Sequence, residues 1–210
     1  IYICFLRNFL NIKDNLNINN YIYLLILYNS TMVDNSKLFE KYTFNNNVVA
    51  PSLLAVAPMT LFGSNPDGTI SEEEKEFFKM RAKNVGLYVL GACCTSLEGI
   101  AFENQPRAFD DKDIQHNAER AKIIKDQGAL AINQIHHGGC LALKKLTGVP
   151  VKAVSADFYN KELEKKGELN EDNKTVDLTD EEIKRIINDF AKATEISIKA
   201  GFDGIEIHGA

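Results

Sequence analysis

The sequence predicts an α/β fold, a parallel sheet covered by helices. Two observations carry this. From Val48 onward, short apolar runs of strand length alternate with longer amphipathic runs. The short runs are apolar nearly throughout, as in strands buried on both faces. The first strand is expected at Leu53 to Ala57. A helix follows over Ser71 to Asn84, opened by a capping box of Ser71 and Glu74 that satisfies amide groups left without helical partners. Gly86 to Leu90 makes a second strand. Asp111 to Gln127 makes a second helix, ended by Gly128, which suits a left-handed cap. Leu130 to Gln134 is the third strand. Thr179 to Ala200 is the longest helix, with a second capping box (Thr179, Glu182) and a stripe of Ile183, Ile186, Ile187, Phe190, Ala193 and Ile198. Gly201 ends it, and Ile205 to Ile207 form the fourth strand.

One connection breaks the rhythm. About forty residues, Gly138 to Leu178, separate the third strand from its helix, with turns expected at Gly148 to Pro150 and Lys165 to Gly167. A loop of this length is a functional or disordered segment by its length alone. Its charge run, Lys161 to Lys174, reads as a solvated surface.

The 210 residues carry a net charge of -5 and are 45% hydrophobic, enough for one globular unit with a sizeable core. The mild acidity gives no reason to expect nucleic acid or an anionic membrane as partner. Cys4, Cys93, Cys94 and Cys140 include no CxxC pair and are expected as free thiols of a reducing compartment, the cytoplasm. The adjacent Cys93-Cys94 pair is a weak candidate for a redox sensor.

Residues 1–31 differ in character: rich in Asn, Ile, Leu and Tyr, without Gly or Pro, and followed by Met32. They are expected to be translated sequence upstream of the true start, or a disordered extension, and are left out of fold reasoning. As a membrane segment they fall short: the apolar stretch Tyr21 to Tyr28 has eight residues, and a spanning helix needs about 20.

The chemistry-bearing residues gather at the ends of the strands. Pro58-Met59-Thr60 follow the first and Gly91-Ala92-Cys93-Cys94-Thr95 the second. Gln134 and His136-His137-Gly138-Gly139 end the third, and His208-Gly209 the fourth. Any one of these could merely cap a strand. In a barrel or a doubly wound sheet, however, these ends converge on one face, and the shared position favours a site. A metal is not expected: adjacent histidines on an extended chain point apart, and no acidic partner stands beside them. No GxGxxG follows a strand, and no GxSxG elbow or GxxxxGK[ST] loop is present. Small residues at the second strand end would let a flat ring lie on the backbone. The amide of Gln134 both donates and accepts, which suits the edge of a heterocycle. The pattern is compatible with a planar cofactor but does not name one.

In these motifs the chain resembles the Old Yellow Enzyme family of FMN-dependent oxidoreductases, in its bacterial-type NADH:flavin oxidoreductase branch. The resemblance runs from about Lys37 to Ala210. It rests on Lys-Leu-Phe-Glu-Lys-Tyr-Thr-Phe-Asn-Asn at 37–46, Ala-Pro-Met-Thr at 57–60, Asn-Pro-Asp-Gly-Thr-Ile-Ser at 65–71 and Arg-Ala-Lys-Asn-Val-Gly-Leu at 81–87. Asn-Gln-Ile-His-His-Gly-Gly at 133–139 and Ala-Gly-Phe-Asp-Gly-Ile-Glu-Ile-His-Gly-Ala at 200–210 complete it. It implies a (β/α)8 TIM barrel with FMN at its C-terminal mouth. Residues 32–210 would then be the N-terminal half, a partial FMN-binding domain of about four strand-helix units. It further implies that Pro58 and Met59 pack against the flavin, that Thr60 bonds its carbonyl beside the reactive nitrogen, that Ala92 offers backbone contact, and that Gln134 holds the pyrimidine edge. His208 would be one of two side chains gripping the substrate's carbonyl oxygen.

The implied reaction passes hydride from NADH or NADPH through FMN to the β-carbon of an activated alkene, a small-molecule substrate, with homo-oligomerisation of the full-length protein left open. Two departures stand out: His137-Gly138-Gly139-Cys140 replaces the family's usual His-Ala-Gly-Arg, and Gly91 replaces an acidic residue often found there. By the same resemblance, the second substrate clamp, the proton-donating tyrosine and the FMN phosphate site should follow Ala210. The chain alone is therefore expected to bind FMN poorly, to be inactive, and to expose sheet edges and apolar core. The alternatives are a dienoyl-CoA reductase-like enzyme, which would need a downstream cysteine cluster, and a truncated non-catalytic fragment.

Overall fold

The computed structural model describes residues 35–209. The expectations for residues 1–31 lie outside these. In chain order the described elements begin with β1 (Tyr42–Thr43), β2 (Val49–Ala50), β3 (Ala55–Val56), α1 (Glu72–Arg81) and β4 (Leu87–Cys94). They continue with α2 (Asp113–Asp126), β5 (Leu130–His136), a short α3 (Lys144–Thr147), β6 (Val151–Ala153) and α4 (Ala156–Lys166). The last are β7 (Thr175–Asp177), α5 (Asp180–Lys199) and β8 (Gly204–Ile207). β1 and β2 form an antiparallel hairpin. β3, β4, β5 and β8 form a parallel sheet in that spatial order, with β3 and β8 at its edges. The four strands make an open α/β sheet; among the described residues it does not close into a barrel.

Both capping boxes are present. Ser71 Oγ accepts from the Glu74 N–H, Thr179 Oγ1 accepts from the Glu182 N–H, and each glutamate reaches back to its cap residue's N–H. Gly128 and Gly201 end α2 and α5 with φ of 92° and 89°, which a residue with a Cβ rarely adopts. Alternation along the strands divides the sheet. Tyr88, Leu90 and Ala131 pack with Phe78 of α1 and Ile124 of α2, while Cys93 and Ile135 pack with Ala193 and Ile196 of α5. On the other face Leu87, Leu130, Ile132 and Gly204 line a hollow of about 390 Å³ shared with Phe44 and Val48 of the hairpin region.

Three expectations are corrected. First, Gly91 to Cys94 do not follow the second strand but belong to it: β4 runs on through a bulge between Leu90 and Cys93. β5 likewise extends to His136.

Second, the segment from Gly138 to Leu178 is built, not structureless. β6 and β7 pair in parallel around α4. Its polar residues make the unit: Asp177 Oδ1 accepts from the Ala156 N–H at 2.8 Å, and Asn160 both donates to Thr175 O and accepts from the Thr175 N–H at 2.9 Å. Both turns occur, with Gly148 and Gly167 at φ of 72° and 70°. The side chains of the expected charge run pair on the exposed side of α4, as in Lys161–Asp157 and Lys165–Glu162.

Third, Ile187 and Ile198 of the α5 stripe are 61% and 65% exposed. The buried face holds Ala193, Ile196, Ser197 and Ala200, and at 3.6 residues per turn Ile187 and Ile198 stand about 130° and about 150° round the helix from its centre.

Candidate active site

The strand ends converge. Pro58, Met59, Thr60, Ala92, Gln134 and His208 all line one cleft of about 280 Å³, with His136, Phe102 and Leu141 completing its wall. The elements that bring them together explain the local sequence. Gly91 sits against the backbone of Met59: a Cβ there would stand 2.6 Å from the Met59 carbonyl carbon and closer still to its oxygen. Glycine is thus what lets the segment after β3 lie on β4.

The next residue, Ala92, has a φ of 49°, a left-handed conformation that costs a residue with a side chain free energy. Two buried glutamines hold it there. The Ala92 N–H donates to Gln134 Oε1 at 3.0 Å, and the Ala92 carbonyl accepts from Gln105 Nε2 at 2.9 Å. Gln134 in turn donates to Glu206 Oε1 of β8 at 2.6 Å. A chain of hydrogen bonds therefore crosses three adjacent strands at the floor of the cleft.

The histidines separate as adjacent residues on a strand should. His136 faces the cleft, its ring edge-to-face with that of His208 at 4.9 Å between centroids. Burial, with His208 and His137 nearby, pushes its pKa down to about 4. His137 turns the other way. Its ring covers Gly99, its Nδ1 accepts from the Gly139 N–H at 3.0 Å, and its Nε2 lies 3.9 Å from Glu98. Glu98 is itself held by Arg185 of α5 at 2.5 and 2.7 Å. Burial holds the His137 pKa below the usual imidazole value. His137 thus braces the loops behind the cleft, and does not line it.

Cys93 and Cys94 are fully buried, and burial pushes both thiols up to about 12. A redox sensor needs an accessible thiolate, so that suggestion is withdrawn.

Sequence reasoning missed three contributors. Glu206 was within reach, since it lies two residues before His208 and so shares its face of the strand. Gln105 gave no periodic signal, because it sits in an irregular loop before Pro106. Arg120 was hidden in the helix pattern. It is fully buried and bridges α2 to Glu74 of α1 at 3.2 Å, to Ser64 Oγ and to the Gly68 carbonyl. It thereby anchors the segment that leads from the cleft into α1.

Residues 37–210 match the model of the NADH:flavin oxidoreductase / NADH oxidase family. The chain belongs to that family. It is 38% identical over 173 residues to the Bacillus subtilis protein named probable NADH-dependent flavin oxidoreductase, covering 82% of this chain and 44% of that one. It is 31% identical over 183 residues to the NADH:fumarate oxidoreductase of Klebsiella pneumoniae, covering 85% of this chain and 19% of that protein. Among solved structures, the Old Yellow Enzyme of Pichia sp. AKU4542 superposes with a TM-score of 0.70 at 24% identity, over 82% of this chain and 45% of that one. The Old Yellow Enzyme homologue of Zymomonas mobilis does so with the same TM-score at 25% identity, over 82% and 48%. The chain therefore spans less than half the length of each of these relatives. No helix among its described residues is long and apolar enough to cross a membrane.

Proposed function

We propose that this chain supplies the FMN-binding wall and one substrate-holding residue of an oxidoreductase acting between NADH or NADPH and an activated alkene or similar electrophilic acceptor. The observation that supports it is the convergence of Pro58, Met59, Thr60, Ala92, Gln134 and His208 on one cleft. The side chains suit a flat heterocycle. Pro58 and Met59 offer an apolar face, and the small Ala92 leaves its backbone approachable. The Gln134 amide has two N–H groups and two lone pairs. Glu206 takes one N–H and Ala92 one lone pair, leaving one of each for a ring edge such as that of a flavin pyrimidine. Thr60 would hydrogen-bond the ring carbonyl.

FMN, when bound, would carry hydride between the nicotinamide and the acceptor. The chain's own residues bind, orient and polarise. Gln134 and Thr60 fix the ring in its plane. His208 holds the acceptor's oxygen and stabilises negative charge that develops there. The strand it directly follows, β8, is hydrogen-bonded to β5 alongside Gln134, so cofactor edge and substrate donor are set by one piece of sheet. A (β/α)8 barrel would complete the opposite wall.

The test is an FMN titration of the full-length protein with alkene-dependent NADH and NADPH oxidation, repeated on Gln134→Glu. The substitution sets a second carboxylate against Glu206. Losing the neutral hydrogen bond from the Gln134 amide to the ring removes about 0.5–1.5 kcal/mol, so FMN affinity is expected to fall by about two- to tenfold. Failure of the wild type to bind FMN, or unaltered binding by the variant, would overturn the reading.

A further inference from the structure

His136 has no part in the function proposed above, yet its surroundings define its ring. Gln105, 2% exposed, lies with Nε2 3.2 Å from His136 Nδ1. That amide is oriented by its other bonds: its oxygen accepts from the Ala101 N–H at 2.8 Å, and its nitrogen donates to the Ala92 carbonyl at 2.9 Å. Facing Nδ1 with an amide nitrogen, Gln105 can only donate. Nδ1 is therefore the acceptor, and in the neutral ring the proton sits on Nε2. The depressed pKa keeps the ring in that neutral form through ordinary pH. Nε2 makes no hydrogen bond among the described residues, and the ring lines the same cleft as His208. The cleft thus holds two imidazoles in contact, one of them with a fixed and unused donor.

We propose that His136, positioned by Gln105, is a second oxygen-holding donor beside His208, and that the pair selects unsaturated carboxylates over the matching ketones and aldehydes. The reasoning is one of donor and acceptor count. A ketone or aldehyde oxygen satisfies His208 and leaves the other donor desolvated without a partner, which weakens binding. A carboxylate brings a second oxygen to that donor. The substrate class rests on the flavoenzyme reading; the tautomer and the donor role do not.

The experiment is NMR of the full-length protein labelled with ¹⁵N-histidine, with and without FMN. The His136 resonance is assigned by its loss in His136→Phe. It is expected as the Nε2–H tautomer in both samples, and crotonate is expected to shift it while crotonaldehyde does not. Gln105→Leu, which removes the orienting donor, is expected to turn the single tautomer into a mixture, an effect that a purely packing role for Gln105 would not produce. In steady-state assays His136→Phe is expected to raise KM for crotonate about tenfold, equivalent to about 1.4 kcal/mol, and to lower KM for crotonaldehyde, because the donor that an aldehyde leaves without a partner is gone. His136→Gln, which keeps an N–H donor, is expected to recover part of the preference. An Nδ1–H tautomer in the wild type, no shift with crotonate, or an equal loss of both substrates in His136→Phe overturns the proposal. Failure to bind FMN would sink the flavoenzyme reading and the substrate class with it, whereas the tautomer and the donor role of His136 are still read without the flavin.

Discussion

Replacing Gly91 by alanine tests the floor of the cleft directly. The new Cβ would lie 2.6 Å from the Met59 carbonyl carbon and 2.8 Å from its nitrogen, about 1 Å inside ordinary carbon contact. These are backbone atoms, so no side chain can rotate away. Either the Pro58 to Thr60 segment lifts off β4, or the bulge at Ala92 shifts. Overpacking of this kind costs about 1–3 kcal/mol. For a domain of this size that lowers the melting temperature by about 2 to 12 °C.

The distinguishing readout is FMN affinity. Gly86→Ala makes a matched control, because its Cβ would stand 2.8 Å from the Ser52 carbonyl carbon, and closer to its oxygen, at the opposite end of the same strand. Both variants are expected to melt early. Only Gly91→Ala is expected to lose FMN affinity, by about tenfold or more for each 1.4 kcal/mol of displaced contact. Thermal melts with FMN fluorescence titrations below the transition would decide. Equal FMN affinity in Gly91→Ala and wild type would refute the argument that the close approach of β4 to Met59 shapes the site.

Arg120→Ala should destabilise the fold by about 3–5 kcal/mol, because it leaves the buried carboxylate of Glu74 without its partner; urea unfolding of the variant measures this. Acid should weaken the fold through His136. Its folded pKa is depressed to about 4, so the unfolded chain binds more protons between there and the ordinary value of about 6.5. Stability should therefore fall as pH drops through that window and level off below it. His136→Phe should flatten this part of the pH profile of the melting temperature, and an unchanged slope would count against it. In a Cys4→Ser background, Cys140 should be alkylated first by iodoacetamide, since Cys93 and Cys94 are buried and held as thiols. Peptide mass mapping of the native protein checks the order.

The helices were the most legible part of the chain. Ser71 with Glu74 and Thr179 with Glu182 are local devices, and each satisfies its amide groups within four residues. The helix ends at Gly128 and Gly201 were readable for the same reason. The reading of α5 was looser, because periodicity marks every apolar residue near a stripe while only the packing partner decides which are covered. The Gly138 to Leu178 segment was misread because its strands are three residues each and its stabilising bonds are side chain to backbone, a pattern without a period. Pro58, Met59, Thr60, Ala92, Gln134 and His208 were singled out by an expected place at strand ends; all six line one cleft, though Ala92 and Gln134 lie within β4 and β5. Gln105 and His136 were not given roles, since their pairing joins residues 31 apart through one amide.

By itself, then, the sequence determined the parallel strand-helix order, the helix caps and the family, since each follows from periodicity or from residues near one another in the chain. Only the tertiary structure decided that Gly91 exists for the backbone of Met59, that two glutamines hold Ala92 in a left-handed turn, and that His136 and His208 share a wall while His137 does not. Those relations are set by contacts between different strands, where distance along the chain carries no information about distance in space.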